Sequence, residues 1–512
     1  MKEKDNLVVK TLNIFTLIIL YYIVGKKNIF LYTISVCLYN IFVAAFNHIS
    51  LTNSFNKFNN IKNINNLFKY TLLTIITVSI MFLLLGLAVS DVVSILLNLN
   101  DILIVFVFMG LTIIIEPFIK LLGEYLIKIN NNLKFEKIIY LYNIVDNVML
   151  LVIALLVFRV FNIKMNIAVS LLYLSKLISA FLITLLMYFI NNRKKNNYSI
   201  QENVNYKKEI KNILTKNSYQ SMIVIVKNSY YYISIIIAYL ILMTRYGYKI
   251  DIIERDLTFI YLFGINIINY ILYIVKNMNN ELPRELSLTN RIYNNFKIML
   301  SLAIIFSIVS PLTCKVLFNN PEFSIYLVML NFMAIFSLLY DITYKNIKHT
   351  KLIYTSLLFG LIVKIVTEVP LINAFYRMGY NLIYGDILAS VLGLLLSILI
   401  NYIFIKKKEK TKENYFTKLL DIFYENIILC IILIIIQFII PIKTDNYFIA
   451  LGLFVIYIGI SIGIMKLRNK KRGWFLWSKY MFLDIVIQIL IVWLQQLLYH
   501  ILKGKWELML YQ

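Results

Sequence analysis

Apolar runs of membrane length recur along this chain, and they leave few folds open. Ile102–Tyr125, Asn166–Ile190 and Leu382–Ile405 each supply the roughly 20 residues that a helix needs to cross a bilayer. Inside hydrocarbon a backbone N–H or C=O must find its partner within the protein, so such runs are read as helices. Composition agrees. A soluble domain is about half apolar and about a quarter charged, whereas this 512-residue chain is 60% hydrophobic and 15% charged. The expected fold class is an all-α polytopic membrane protein.

Six spans precede the longest polar interruption: Leu7–Val24, Asn28–Leu51, Tyr70–Leu87, Ile102–Tyr125, Ile138–Val160 and Asn166–Ile190. The interruption, Asn191–Asn217, carries Arg193, Lys194, Lys195, Lys207, Lys208, Lys211 and Lys216 against Glu202 and Glu209. Beyond it run Ser218–Thr244, Leu257–Asn279, Met299–Leu317, Phe323–Tyr340, Leu352–Val369 and Leu382–Ile405, then Phe423–Pro441 and Asn446–Met465. That makes about fourteen spans when sorted by loop charge. The expected organisation is an N-lobe at 1–190, a cytoplasmic tie at 191–217, a C-lobe at 218–405 and two extra spans within 406–480. A tail at 481–512 follows, in which Met481–Leu502 reads as an interfacial or packed helix.

The net charge of +25 resides in the short loops, where positive residues mark the cytoplasmic side. It is a topology signal and an attraction to anionic lipid, not a nucleic-acid footprint. Loops around Lys62, Lys134, Lys207, Arg291, Lys348, Lys410 and Lys470 are expected inside, as is the N-terminus, whose first span lacks a small-residue cleavage site. The C-terminus is expected on the same side.

Cys37, Cys314 and Cys430, and His48, His349 and His500, form no metal-ligand or redox spacing. No phosphate-binding glycine loop, nucleophile elbow or H-E-x-x-H appears, so neither a metal, a cofactor nor an enzyme's catalytic group is expected. Chemistry then rests on ionisable residues inside spans, which are costly there and point to function. Lys176, Lys227 and Lys364 are the candidate substrate-binding bases. Glu116, Asp146 and Glu368 are the candidate coupling or structural acids. The structural alternative stays open for each: Lys364 with Glu368, and Glu116 with Lys120, have the spacing of same-helix pairs. Pro117 directly follows Glu116 and is expected to bend its helix.

Three patches carry a resemblance. They are Gly25…Leu31-Tyr32…Leu38-Tyr39, the run from Lys364 through Glu368 and Pro370 to Gly379 and Asp386-Ile-Leu-Ala-Ser390, and Ile144-Val-Asp146-Asn147. Together they resemble Firmicute-type polysaccharide and lipid II flippases of the multidrug/oligosaccharidyl-lipid/polysaccharide (MOP) exporter superfamily. The resemblance implies two six-helix bundles, alternating access and a polyprenyl-pyrophosphate-linked glycan moved from the inner to the outer leaflet of the bacterial cytoplasmic membrane. It also implies glycosyltransferases of the same pathway as partners. Departures are plain: span 1 lacks the family's arginines, Leu150 stands where an arginine follows the span 5 acid, and Glu368 stands for an asparagine.

On that resemblance Lys176 and Lys227 are expected to line a central cavity and meet the pyrophosphate. A lysine is an adequate point-charge partner for phosphate. The competing functions are a drug or metabolite antiporter of the same superfamily and, third, a membrane glycan polymerase. Spans 13 and 14 weigh against the antiporter, and the short outward loops against the polymerase.

Overall fold

The computed structural model describes residues 2–25, 29–46, 62–97, 102–130, 134–161, 163–192, 222–247, 249–280, 288–345 and 350–408, with single positions beyond. Most of the Asn191–Asn217 tie, spans 13 and 14 apart from isolated residues, and Met481–Leu502 lie outside the described residues. All described elements are helical. Ten of these helices are long and apolar enough to cross a membrane, and two shorter apolar ones, Val8–Val24 and Ile29–Val43, precede them. The chain is a multi-pass helical membrane protein.

In chain order the helices are α1 (Lys2–Val24), α2 (Ile29–Phe46), α3 (Lys62–Leu97), α4 (Ile102–Ile113), α5 (Ile115–Asn130), α6 (Lys134–Leu155), α7 (Met165–Leu172) and α8 (Leu174–Asn192). Then come α9 (222–232) and α10 (Ser234–Tyr246), which share one span, and α11 (Ile250–Thr258). The rest are α12 (Ile265–Asn280), α13 (Leu288–Phe318), α14 (Ser324–Lys345), α15 (Thr350–Arg377) and α16 (Ile383–Lys408).

Several helices outrun the sequence expectation, α13 among them, which starts at Leu288 rather than Met299 and takes up Arg291 and Lys297. α3 has 36 residues, about 54 Å at 1.5 Å per residue, so it overhangs a hydrocarbon core of about 30 Å. Lys62, Lys69 and Asp91, expected in loops, lie on it, because no proline interrupts the flanking sequence. α11 takes up Asp251, Glu254, Arg255 and Asp256, expected as a turn, since Ile253, Asp256 and Leu257 form one buried face. Span 11 was expected to stop at Val369. Instead α15 continues through Pro370 to Arg377.

One proline removes a single backbone donor, and in a packed bundle neighbours absorb that loss. The helix stops where a left-handed residue permits it, at Gly379 with φ +72°. There Gly379 N–H donates to Tyr376 O (3.0 Å) and Tyr380 N–H to Phe375 O (3.0 Å), the paired bonds of a Schellman ending. The Phe375 and Tyr380 rings, 6.4 Å apart, close it.

Five spans are irregular. Span 4 breaks at Ile114, three residues ahead of Pro117, as expected from that proline. Span 6 breaks at Tyr173 and span 7 at Ile233. Spans 5 and 8 contain π-helical turns, Leu156–Val160 and Phe259–Gly264. Such turns insert one extra residue and re-aim the side chains around them.

The contacts divide the chain into two units: Met1–Leu262 with Ile347–Ser397, and Phe263–Asn346 with Ile398–Gln512. In the first, α6 packs on α8 and α1, α3 on α4, and α4 on α7. In the second, α13 and α14 pack on each other and both meet α12. The Asn331 amide donates to Ser307 Oγ at 3.1 Å across that α13–α14 pair. The candidate residues all belong to the first unit.

Candidate functional site

Two polar clusters form inside the first unit, and each grows from a broken span. The first lies beside the Tyr173 break. Ser175 and Lys176 open α8, facing Asp146 on α6. The Lys176 ammonium donates to Asp146 Oδ2 at 3.0 Å, and the Ser175 hydroxyl donates to Asp146 Oδ1 at 2.9 Å. Lys176 also sits over the Tyr39 ring of α2, 5.1 Å from its centroid, within cation–π range. The Tyr39 hydroxyl donates a long 3.4 Å bond to Glu116 Oε2, at the start of α5. Three of the six candidates are thus brought together by one lysine and one tyrosine. The side chains of Lys176 and Asp146 stay 22% and 18% exposed, so this ion pair is not fully enclosed by the protein.

The second cluster surrounds the Ile233 break in span 7. There the Tyr230 carbonyl would, in an unbroken helix, accept from the N–H of residue 234. It accepts instead from the Lys364 ammonium of α15, which also lies 4.9 Å from the Tyr230 ring centroid. The Ser234 hydroxyl, first in α10, donates to Glu368 Oε2 at 3.0 Å. A cation therefore meets the carboxyl end of one helix segment and an anion the amino end of the next, the favourable pairing with both dipoles. Asp386 of α16 completes the cluster, accepting from the Tyr261 hydroxyl of the span 8 π turn at 2.5 Å.

Lys364, Glu368 and Asp386 are 1%, 0% and 2% exposed. Two carboxyl groups lie within electrostatic reach of the one ammonium there, and among the described residues Glu368 Oε1 and Asp386 Oδ1 have no partner. Lys364 and Glu368 do not form the same-helix ion pair that their spacing allows.

Close helix packing makes this burial possible. α15 and α16 cross with Gly360 against Gly393, and a Cβ on Gly360 would stand 2.6 Å from the Gly393 carbonyl oxygen. Ser397 Oγ donates to Ser356 O at 3.0 Å one turn further along the same seam. Small residues at such crossings let membrane helices approach to backbone contact. The Tyr230 hydroxyl reaches the Ser390 carbonyl, tying α9 to the crossing.

The arrangement of helices is shared with solved structures. The chain superposes on a solved structure of the lipid II flippase MurJ in its inward closed conformation with a TM-score of 0.59. The match covers 91% of this chain and 99% of that one at 13% identity. The fold is that of the MOP superfamily. A MOP superfamily transporter from Pyrococcus furiosus matches at TM-score 0.52 and 12% identity, over 80% of this chain and 96% of that one. An inward-facing multidrug resistance MATE transporter of the MOP superfamily matches at 0.51 and 11%, over the same shares. No family model matches the sequence, and no curated protein does.

Within this MOP fold, Lys227 lies half-buried on α9, one turn before Tyr230. Its neighbour Asn228 donates to the Asn40 carbonyl of α2 at 2.8 Å. Sequence reasoning missed Asp386 as a site residue, although an acid near the start of an apolar span is a signal. It also missed Tyr39, Ser175, Ser234 and Tyr261. Among 38 tyrosines nothing in the sequence marks Tyr39 and Tyr261 as ones that meet carboxylates.

Proposed function

We propose that this chain is an exporter that moves a polyprenyl-pyrophosphate-linked glycan from the inner to the outer leaflet of a bacterial cytoplasmic membrane by alternating access. The observation that carries the reading is Lys176: an ammonium deep in a membrane span, held by Asp146 and Tyr39, yet 22% exposed. A charge at that depth is maintained where it faces a water-filled space or a polar ligand. Lys227 is its companion base for the pyrophosphate. Supporting the flippase branch over a drug antiporter is the larger share of the chain, 91% against 80%, that superposes on the MurJ structure.

Lys364 serves the fold of span 7 in this reading, and Glu116, Asp146 and Glu368 are the acids available for ion coupling. Both termini lie in the cytoplasm, where glycosyltransferases supply the cargo. The test is complementation of a flippase-deficient strain together with measured membrane abundance. Lys176→Gln with Lys227→Gln should abolish rescue at normal abundance. Full rescue by that double variant refutes the assignment.

A further inference from the structure

We propose that Asp146 is a built-in stand-in for the cargo's phosphate: it occupies Lys176 when the site is empty and competes with the arriving anion. This deepens the exporter reading and rests on it.

A carboxylate and a phosphate present the same kind of oxygen acceptor to an ammonium. Asp146 is positioned to let go. Its Oδ2 takes Lys176 at 3.0 Å, while its Oδ1 is anchored separately by the adjacent Ser175 hydroxyl at 2.9 Å. That second bond survives when Lys176 turns to another partner. The pair is also reachable, at 22% and 18% side-chain exposure, whereas Lys364 and Glu368 are sealed at 1% and 0%.

A second polar group stands near the pair. Tyr142 lies on α6 one turn before Asp146, is 3% exposed, and its hydroxyl has no partner among the described residues. It lies within electrostatic reach of Lys176, Asp146 and Glu116. A buried hydroxyl left unpartnered is costly, and an anion accepting from it would recover that cost.

The device answers a physical need of transport. An ammonium at this depth with no competitor would hold a pyrophosphate too firmly to release it. A carboxylate that returns to Lys176 offsets the loss of the cargo's contacts, so exit is not limited by the strength of one ion pair.

The experiment uses full-length protein in detergent, with undecaprenyl pyrophosphate as probe and uncharged undecaprenol as its control. Asp146→Asn should bind the pyrophosphate about tenfold tighter than the parent, with undecaprenol unchanged. Lys176→Gln should lose the preference for pyrophosphate, and Asp146→Asn should add nothing in that background. Tyr142→Phe should weaken pyrophosphate binding while its melting temperature holds or rises, since it removes an unpartnered hydroxyl.

If Lys176→Gln loses binding while Asp146→Asn binds no tighter, competition is overturned and the exporter reading stands. If neither parent nor Asp146→Asn prefers pyrophosphate over undecaprenol, both are overturned. Should Asp146→Asn fail to accumulate, undiminished pyrophosphate binding by Tyr142→Phe overturns the proposal.

Discussion

Lys364 and Glu368 stand one turn apart on the same helix, yet each bonds to a different side of the break in span 7. Lys364 donates to the Tyr230 carbonyl before the break, and Glu368 accepts from Ser234 after it. A same-helix spacing has been used for a cross-helix clamp. The break leaves a carbonyl without its helical partner inside the membrane, where a missing hydrogen bond costs several kcal/mol.

The clamp predicts a non-additive mutational cycle. Lys364→Met leaves Glu368 and Asp386 buried without a cation and should destabilise by roughly 3–5 kcal/mol. Adding Glu368→Gln removes one of the stranded charges and should restore part of that loss. Melting temperature in detergent and membrane abundance read it. Strict additivity would show that the two residues act separately.

Tyr261 gives a smaller, independent prediction. Its hydroxyl donates to Asp386 Oδ2, and Oδ1 has no partner among the described residues. Tyr261→Phe should cost about 1–3 kcal/mol. Combined with Asp386→Asn it should cost less than the sum of the two, as judged by the same melting measurement.

The α15–α16 seam predicts a contrast between glycines. A Cβ on Gly393 would come within 2.6 Å of the Tyr230 hydroxyl, while one on Gly86 meets nothing nearer than 3.7 Å. Gly393→Ala should therefore lower abundance and melting temperature. Gly86→Ala should be neutral or stabilise by up to about 1 kcal/mol, because alanine favours a helix over glycine. Equal effects at both positions would argue against the close crossing.

Much of the fold was legible because the bilayer simplifies the reading. Apolar length places each span, and all twelve expected spans up to Ile405 coincide with helices. Pro117 announced the break at Ile114. The breaks at Tyr173 and Ile233 carry no proline or glycine, nor does the π turn at Leu156–Val160, and the π turn at Phe259–Gly264 has only its terminal glycine. These are set by which neighbour takes the freed backbone groups, a tertiary fact.

The site divides in the same way. Cost in hydrocarbon singled out Asp146, Lys176, Lys364 and Glu368, and each has a polar partner in the structure. Helical spacing, however, names only partners on the same helix. It could not pair Lys176 with Asp146 across two helices, nor send Lys364 to Tyr230.

Topology gives a prediction independent of the site. In a background lacking Cys37, Cys314 and Cys430, cysteines placed at Lys207, Arg291 and Lys410 should resist an impermeant thiol reagent added to intact cells. They should react once the membrane is opened. Labelling of any of them from outside would invert the assigned orientation.

Leaflet exchange in liposomes tests the central claim most directly. Purified protein is reconstituted with a labelled undecaprenyl-pyrophosphate-linked glycan, and an impermeant glycosidase reports how much reaches the outer leaflet. The parent should expose the inner-leaflet pool, and Lys176→Gln should slow that exposure by about tenfold or more at equal protein content. Exposure no faster than in protein-free liposomes, or identical rates for parent and Lys176→Gln, would contradict an exporter that holds its cargo through Lys176.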